Sequence, residues 1–261
     1  MSRLLALLYG AIAYAIFLAT FLYAVAFVAG VGVPKHIDNG PLTVWPVAIA
    51  IDLALLGLFA VQHSGMARPG FKRWWTRLIP HAIERSTYVL VSSLALLLLY
   101  WQWRPLPTVV WDVQGAGYWG LYAVSALGWL LLLTSTFLIN HFDLFGLRQV
   151  WAYAREKTLV DQPFVARALY RIVRHPLMLG FLIAFWATPH MTAGHLLFAA
   201  VTTSYILVAV KFLEERDLIA EHGDAYRAYQ REVPMIVPRP WHRGGDAAAT
   251  NVIGQGRPAA R

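Results

Sequence analysis

Arg174-His175-Pro176-Leu177-Met178-Leu179-Gly180 opens an apolar run that stops at Thr188-Pro189. A second apolar run starts at Ala193 and ends in Lys211-Phe212-Leu213-Glu214-Glu215-Arg216-Asp217-Leu218. Two apolar runs with a proline break between them read as a helical hairpin, Pro176–Thr188 and Ala193–Leu213. The first arm is short for a full crossing at about 1.5 Å per residue. Behind the hairpin comes His222-Gly223-Asp224-Ala225-Tyr226-Arg227-Ala228-Tyr229. Gly223 fits a helix stop and Asp224 the N-cap of a short amphipathic helix. Val233-Pro234 and Val237-Pro238 close the stretch. Ionisable groups at the edge of an apolar hairpin cost free energy, so they are functional candidates by default.

Working outward, four further apolar runs approach the roughly 20 residues that span a bilayer. They are Leu4–Ala29, Val44–Val61, Ser86–Trp103 and Tyr118–Ile139. The first continues far past any plausible signal-peptide cleavage site and reads as a retained span. Of the 261 residues 58% are hydrophobic, above the roughly 45–50% of soluble domains. The chain therefore reads as an all-α polytopic membrane protein with five or six membrane helices, a C-terminal helical hairpin and a short amphipathic helix. A single membrane domain covers residues 1–240, and the Gly-, Ala- and Arg-rich residues 241–261 read as a disordered tail. Asp52, inside the second span, is either a site residue or one paired with a neighbouring helix.

The formal net charge of +8 sits in the loops between spans. That is how orientation is encoded, and it argues against nucleic acid as the partner. The loops at 62–85 and 141–175 are basic, whereas those at 30–43, 104–117 and 189–192 are not. The N-terminus, both basic loops and the C-terminal segment are thus expected on the cytoplasmic side of a bacterial inner membrane. His63, His141, His175, Glu214, Tyr226 and Tyr229 then share one face. The segment from Gln62 to Trp75 reads as a basic, aromatic loop at the headgroups. No cysteine is present, which excludes disulfides, Cys-ligated metals and a Cys nucleophile.

The ordered set Arg-His-Pro-x-x-x-Gly, Glu-Glu-x-x-Leu, Gly-x-x-Tyr-x-x-Tyr and Val-Pro-x-x-x-Pro resembles the C-terminal core of the isoprenylcysteine carboxyl methyltransferases. It covers roughly a quarter of the chain. Gln62-His63-Ser64-x-Met66-Ala67-Arg68-Pro69, Glu84-Arg85-Ser86-Thr87-Tyr88 and Asn140-His141-Phe142-Asp143-Leu144-Phe145-Gly146 resemble the NnrU-like bacterial branch. The resemblance implies a methyltransferase domain with S-adenosylmethionine as donor, bound by a core over residues 163–240. It further implies a small apolar thiol, methanethiol, as acceptor and dimethyl sulfide as product. A prenyl-cysteine or lipid acceptor, or a non-enzymatic NnrU-like role in nitrogen-oxide metabolism, are the alternatives.

Carried over residue by residue, the resemblance places His175 and the backbone of Leu177, Met178, Leu179 and Gly180 against the donor. Glu214 would approach its amino or sulfonium group, and Tyr226 and Tyr229 would close the pocket. Met178 stands where an aromatic often follows Arg-His-Pro in that family. A cation leaving water wants a carboxylate or an aromatic face, which Glu214 and Tyr226 supply. Read without the family, Glu214 and Glu215 are sooner a solvated helix end paired with Lys211 or Arg216 than a site. Adjacent helical residues point about 100° apart, so one of the two faces the site. Thiolate, not thiol, is the nucleophile, and His141, His63 and Glu215 are the candidate bases. His63, His141 and His175 lack i, i+4 spacing, and no metal is expected.

Overall fold

The computed structural model describes residues 1–159 and 168–239. Residues 163–167 and 240 of the expected donor core, and the expected tail at 241–261, lie outside the described residues.

Helix α1 (Arg3–Ala29) starts where the Ser2 hydroxyl accepts from the Leu5 N–H, and it stops at Gly30 in the left-handed conformation, φ 72°. Helix α2 (Trp45–Ala67) carries Pro46 in its first turn, where a missing N–H costs nothing. It runs six residues past the expected end at Val61. Gln62–Ala67 holds Gly65 but no proline, and the first proline, Pro69, instead opens α3 (Pro69–Trp75). The expected loop at 62–75 is therefore helical, and His63 and Ser64 stand on a rigid span. Then follow α4 (His81–Gln102), strand β1 (Val109–Asp112), α5 (Ala116–Ile139), α6 (His141–Leu144) and α7 (Leu147–Ala154). The hairpin is α8 (Pro176–Trp186), strand β2 (His190–Thr192) and α9 (Ala193–Ala209). A π turn over Val210–Glu214 joins α9 to α10 (Glu215–His222) without a break, and α11 (Asp224–Glu232) follows. Gly223 ends α10 as expected. It also occupies the cap position of α11, so Asp224 is the first helical residue rather than the N-cap.

Among the described residues, five helices are long and apolar enough to cross a membrane: α1, α2, α4, α5 and the continuous run Ala193–His222. Helix α8, with 11 residues, is about half the usual spanning length. Beyond its end the chain continues as β2, antiparallel to β1, with Trp111 opposite Met191. The two weakly charged loops thus meet in a small ladder at one end of the bundle.

Packing follows the logic of a protein in lipid, where apolar burial does not drive helices together and close contact must. On α1, Ala6, Gly10 and Ala13 face inward, while Leu4, Leu8 and Ile12 are exposed. Gly10 admits the Val150 side chain of α7 at a distance a Cβ would occupy. Helices α5 and α8 touch backbone to backbone. A Cβ on Gly180 would lie 2.7 Å from the Gly128 carbonyl oxygen, and one on Gly128 would lie 2.7 Å from the Ala184 nitrogen. The Ser125 hydroxyl donates to the Ala184 carbonyl beside this crossing, at 3.1 Å. The main core joins Phe27, Leu99, Trp103, Trp129, Phe185 and Phe198 from five helices and their flanking loop.

Asp52 meets the loop after α4 with one carboxylate oxygen, and its Oδ2 is buried without a hydrogen-bond partner among the described residues. It is fully buried, and its Oδ1 accepts from the Arg104 N–H at 2.9 Å, at the β-ladder end of the bundle. The opposite end gathers the start of α1, the ends of α2 and α5, and α10 with α11. Arg68 after α2 pairs with Asp217 of α10 at 2.9 Å, and Arg3 pairs with Glu156 just beyond α7.

Candidate active site

The Arg174–His175 pair is held by the segment after α11. The Arg174 N–H donates to the Pro234 carbonyl at 2.8 Å, and the His175 N–H to that of Met235 at 3.0 Å. Ile236, next along, is buried with Ile206 and Val210. The two Val-Pro elements thus give an extended segment that fixes the turn before α8 and has no N–H to waste at the prolines.

Glu215 is the centre of the polar cluster this creates. Its Oε1 accepts from Arg174 Nε at 2.7 Å, from His175 Nε2 at 3.1 Å and from the Tyr226 hydroxyl at 3.3 Å. Its Oε2 accepts from Gln230 Nε2 at 2.8 Å. Arg174 also donates to the Gln230 and Val233 carbonyls. Arg174, His175 and Glu215 side chains are at most 11% exposed, so these charges have left water and are satisfied by one another. Glu214, on the preceding position of the π turn, points elsewhere. Its side chain is 45% exposed, with Oε1 3.5 Å from His175 Nδ1. π turns interrupt helices with a local widening often found at functional sites, and here the turn is what separates the two carboxylates.

Burial alone would lower the pKa of His175, but hydrogen bonds to Glu214 and Glu215 outweigh it and push the value up to about 9. At neutral pH His175 is a cation that donates to Glu215 and pairs with Glu214 at 3.5 Å. Tyr226 and Tyr229 are buried, and burial holds both phenols protonated. The Tyr229 hydroxyl donates to the Tyr170 carbonyl, tying α11 to the turn at Ala168–Arg171.

The residues expected at the donor divide. His175, Glu214, Glu215 and Tyr226 come together, with Tyr229 beside Tyr226 at 5.7 Å between ring centroids. On α8, Leu177 packs into the main core, and Met178 and Leu179 pack around Ile206 and Val210. Gly180 is taken up by the crossing with α5. The backbone N–H groups of Leu177 and Met178 lie in the first turn of α8, where the helix itself offers no acceptor.

The three candidate bases stand in different surroundings. Glu215 is fully engaged by donors. His141 is buried on α6, its Nδ1 2.8 Å from the Thr136 hydroxyl and its Nε2 2.8 Å from that of Tyr14. Phe137 stacks on its ring at 4.2 Å, and burial lowers its pKa. His63 stacks on Phe59 at 5.1 Å and contacts the Tyr88 hydroxyl at 3.0 Å and that of Ser92 at 3.3 Å. It is close enough to Glu214 to feel its charge. Tyr205 of α9, hydrogen-bonded to Ser64 at 2.8 Å, also feels the charge of Glu214. Among the described residues, no group of three or more His, Asp and Glu side chains is placed to hold a metal ion.

Sequence reasoning gave no role to Arg174, Tyr88, Gln230 or Tyr205. Arg174 and Tyr88 lay inside quoted motifs. Gln230, one position past the quoted tyrosines, and Tyr205, a lone phenol in an apolar run, gave no comparable signal.

The chain matches the family model described as NnrU protein over residues 53–244. It is 59% identical to a methanethiol S-methyltransferase of Mycobacterium tuberculosis over 93% of this chain and 99% of that one. It is likewise 59% identical to methanethiol S-methyltransferase 2 of Bradyrhizobium diazoefficiens, over 91% of this chain and 92% of the relative. A methanethiol S-methyltransferase of Crocosphaera subtropica is 53% identical over 91% and 93%. No solved structure matches. On identities of this size across nearly the whole chain, the protein belongs to the NnrU family, in the group that contains the methanethiol S-methyltransferases.

Proposed function

We propose that this protein transfers a methyl group from S-adenosylmethionine to methanethiol, releasing dimethyl sulfide and S-adenosylhomocysteine. The observation that carries the reading is the identity above 50%, over more than nine-tenths of the chain, with relatives named for that reaction. The site's chemistry supports it. When bound, S-adenosylmethionine supplies a methyl group on a sulfonium centre. Glu214, half-exposed beside a buried cluster, is the carboxylate suited to the donor's ammonium or sulfonium charge. The first-turn N–H groups of Leu177 and Met178, with the His175 cation, suit its carboxylate. Glu215 and Arg174 hold His175 in place, and Tyr226 and Tyr229 brace them.

The acceptor must lose a proton. We assign that step to His63, the candidate base that stands on a membrane span beside Glu214. Tyr88 and Ser92 orient its ring. The thiol's S–H proton passes to a ring nitrogen of His63, and the sulfur lone pair forms the new S–C bond to the donor methyl. The old C–S bond breaks and its electron pair returns to the donor sulfur, so a thiolate and a sulfonium become two neutral thioethers. A site with little water does not oppose such charge annihilation, and positioning supplies much of the rate.

In this reading the site end of the bundle is cytoplasmic and the membrane is a bacterial inner membrane, because the basic loops lie at that end. The acceptor is tested by presenting methanethiol and a farnesyl-cysteine analogue separately to membranes containing the protein, with the same donor. Methylation of methanethiol alone is the expected result. Methylation of the prenylated analogue alone would overturn the acceptor assignment.

A further inference from the structure

Outside the His175 cluster, α2 and α9 flank a half-open apolar cavity of about 140 Å³ lined by Leu53, Leu56, Gly57, Phe59, Val201 and Tyr205, among others. Its lining residues lead toward the site. Phe59 stacks on His63, and the Tyr205 hydroxyl meets Ser64 at 2.8 Å. Leu53, at its rim, is 43% exposed on a span that faces lipid, so a neutral thiol dissolved in the bilayer reaches the cavity without passing through water. An apolar cavity of about 150 Å³ stays dry and accommodates a molecule the size of benzene, so this one suits an apolar ligand of a few atoms. A prenyl chain would overfill it. Gly57 is the position that leaves the space open. A Cβ built there meets nothing within 4 Å, although glycine is disfavoured in a helix interior relative to alanine.

We propose that this cavity is the acceptor subsite, holding the alkyl group of a small thiol with its sulfur toward His63, and that Gly57 sets the size limit. The inference rests on the reading of the protein as a thiol methylase. It adds where the thiol binds and what rejects larger ones.

The test uses the full-length protein in reconstituted membranes, with headspace detection of the methyl sulfides formed from methanethiol, ethanethiol and 1-propanethiol. Gly57→Leu should raise KM for methanethiol about tenfold or more, the order by which one or two methylenes discriminate in an apolar pocket. Donor binding measured by calorimetry should stay within about twofold. Val201→Ala, which enlarges the same cavity, should shift relative kcat/KM toward 1-propanethiol. Gly57→Ala favours the helix and serves where the leucine variant does not fold. It should act in the same direction as leucine, more weakly. Unchanged KM and unchanged chain-length preference in Gly57→Ala and Val201→Ala would overturn the subsite and leave the cavity as space for a lipid chain. Wild-type membranes that form no sulfide from any of the three thiols would instead overturn the underlying reading, and the subsite with it.

Discussion

At the residue scale the account turns on which of two adjacent glutamates does what. Glu215 is held by four donors and Glu214 is half-exposed, so their variants should fail differently. Glu214→Gln should weaken donor binding about ten- to a hundredfold, the effect of losing one charged hydrogen bond of roughly 1.5–3 kcal/mol, while thermal stability in detergent is kept. Glu215→Gln leaves Arg174 buried without a counter-charge and His175 with only the half-exposed Glu214, and should cost on the order of 3–5 kcal/mol of stability. Calorimetry and thermal melts on both variants separate the two, and the reverse pattern would exchange the roles. His175 adds a pH signature. Its folded-state pKa of about 9 lies above its ordinary value of 6.5. The stability it contributes is therefore full below about pH 6.5 and is lost as pH rises through about 9. Melting temperature followed from pH 6 to 10 should fall over that window, and His175→Gln should flatten the fall. The sequence shows that one glutamate of the pair turns inward, because neighbours on a helix diverge. It does not show which, because the deciding partners, Arg174 and Gln230, come from outside the helix and the π turn adds a residue to the local repeat.

At the element scale the hairpin, its proline break and the Gly223 stop are all legible, because each depends on local chemistry. The crossing of α5 on α8 is not, since nothing in either run identifies Gly128 and Gly180 as partners. Gly180→Ala would place a Cβ 2.7 Å from backbone atoms of α5. It should destabilise the protein by about 1–3 kcal/mol, as overpacking does, and reduce methyl transfer by tilting α8 and the His175 turn at its start. A melt and a turnover assay on Gly180→Ala check this, with Gly120→Ala on α5, where a Cβ meets nothing within 4 Å, as the control that should change neither. The extension of α2 through Ala67 also escaped the sequence reading. Polar residues there suggest a loop, yet Gln62 and His63 find partners on α4, so tertiary contacts supply what the local pattern lacks.

At the scale of the whole molecule, apolar run length was enough to read five or six membrane helices, of which five are long spans among the described residues, and loop order was enough to bring the candidate residues to one end. His141 shows the limit of that reasoning. It lies at the site end, yet its ring is enclosed by Tyr14, Thr136 and Phe137, partners that topology alone does not reveal. The orientation predicts that a reporter fused after Arg77 is cytoplasmic and one fused after Asp112 is not. The inverse pattern would remove the site from a cytosolic donor. Methyl transfer itself is read most directly in the headspace above membranes supplied with methanethiol and methyl-deuterated S-adenosylmethionine. The account predicts dimethyl sulfide carrying one deuterated methyl group, in amounts that fall strongly in Glu214→Gln membranes. Dimethyl sulfide without the label, none above membranes containing the protein, or as much above membranes lacking it, would contradict it.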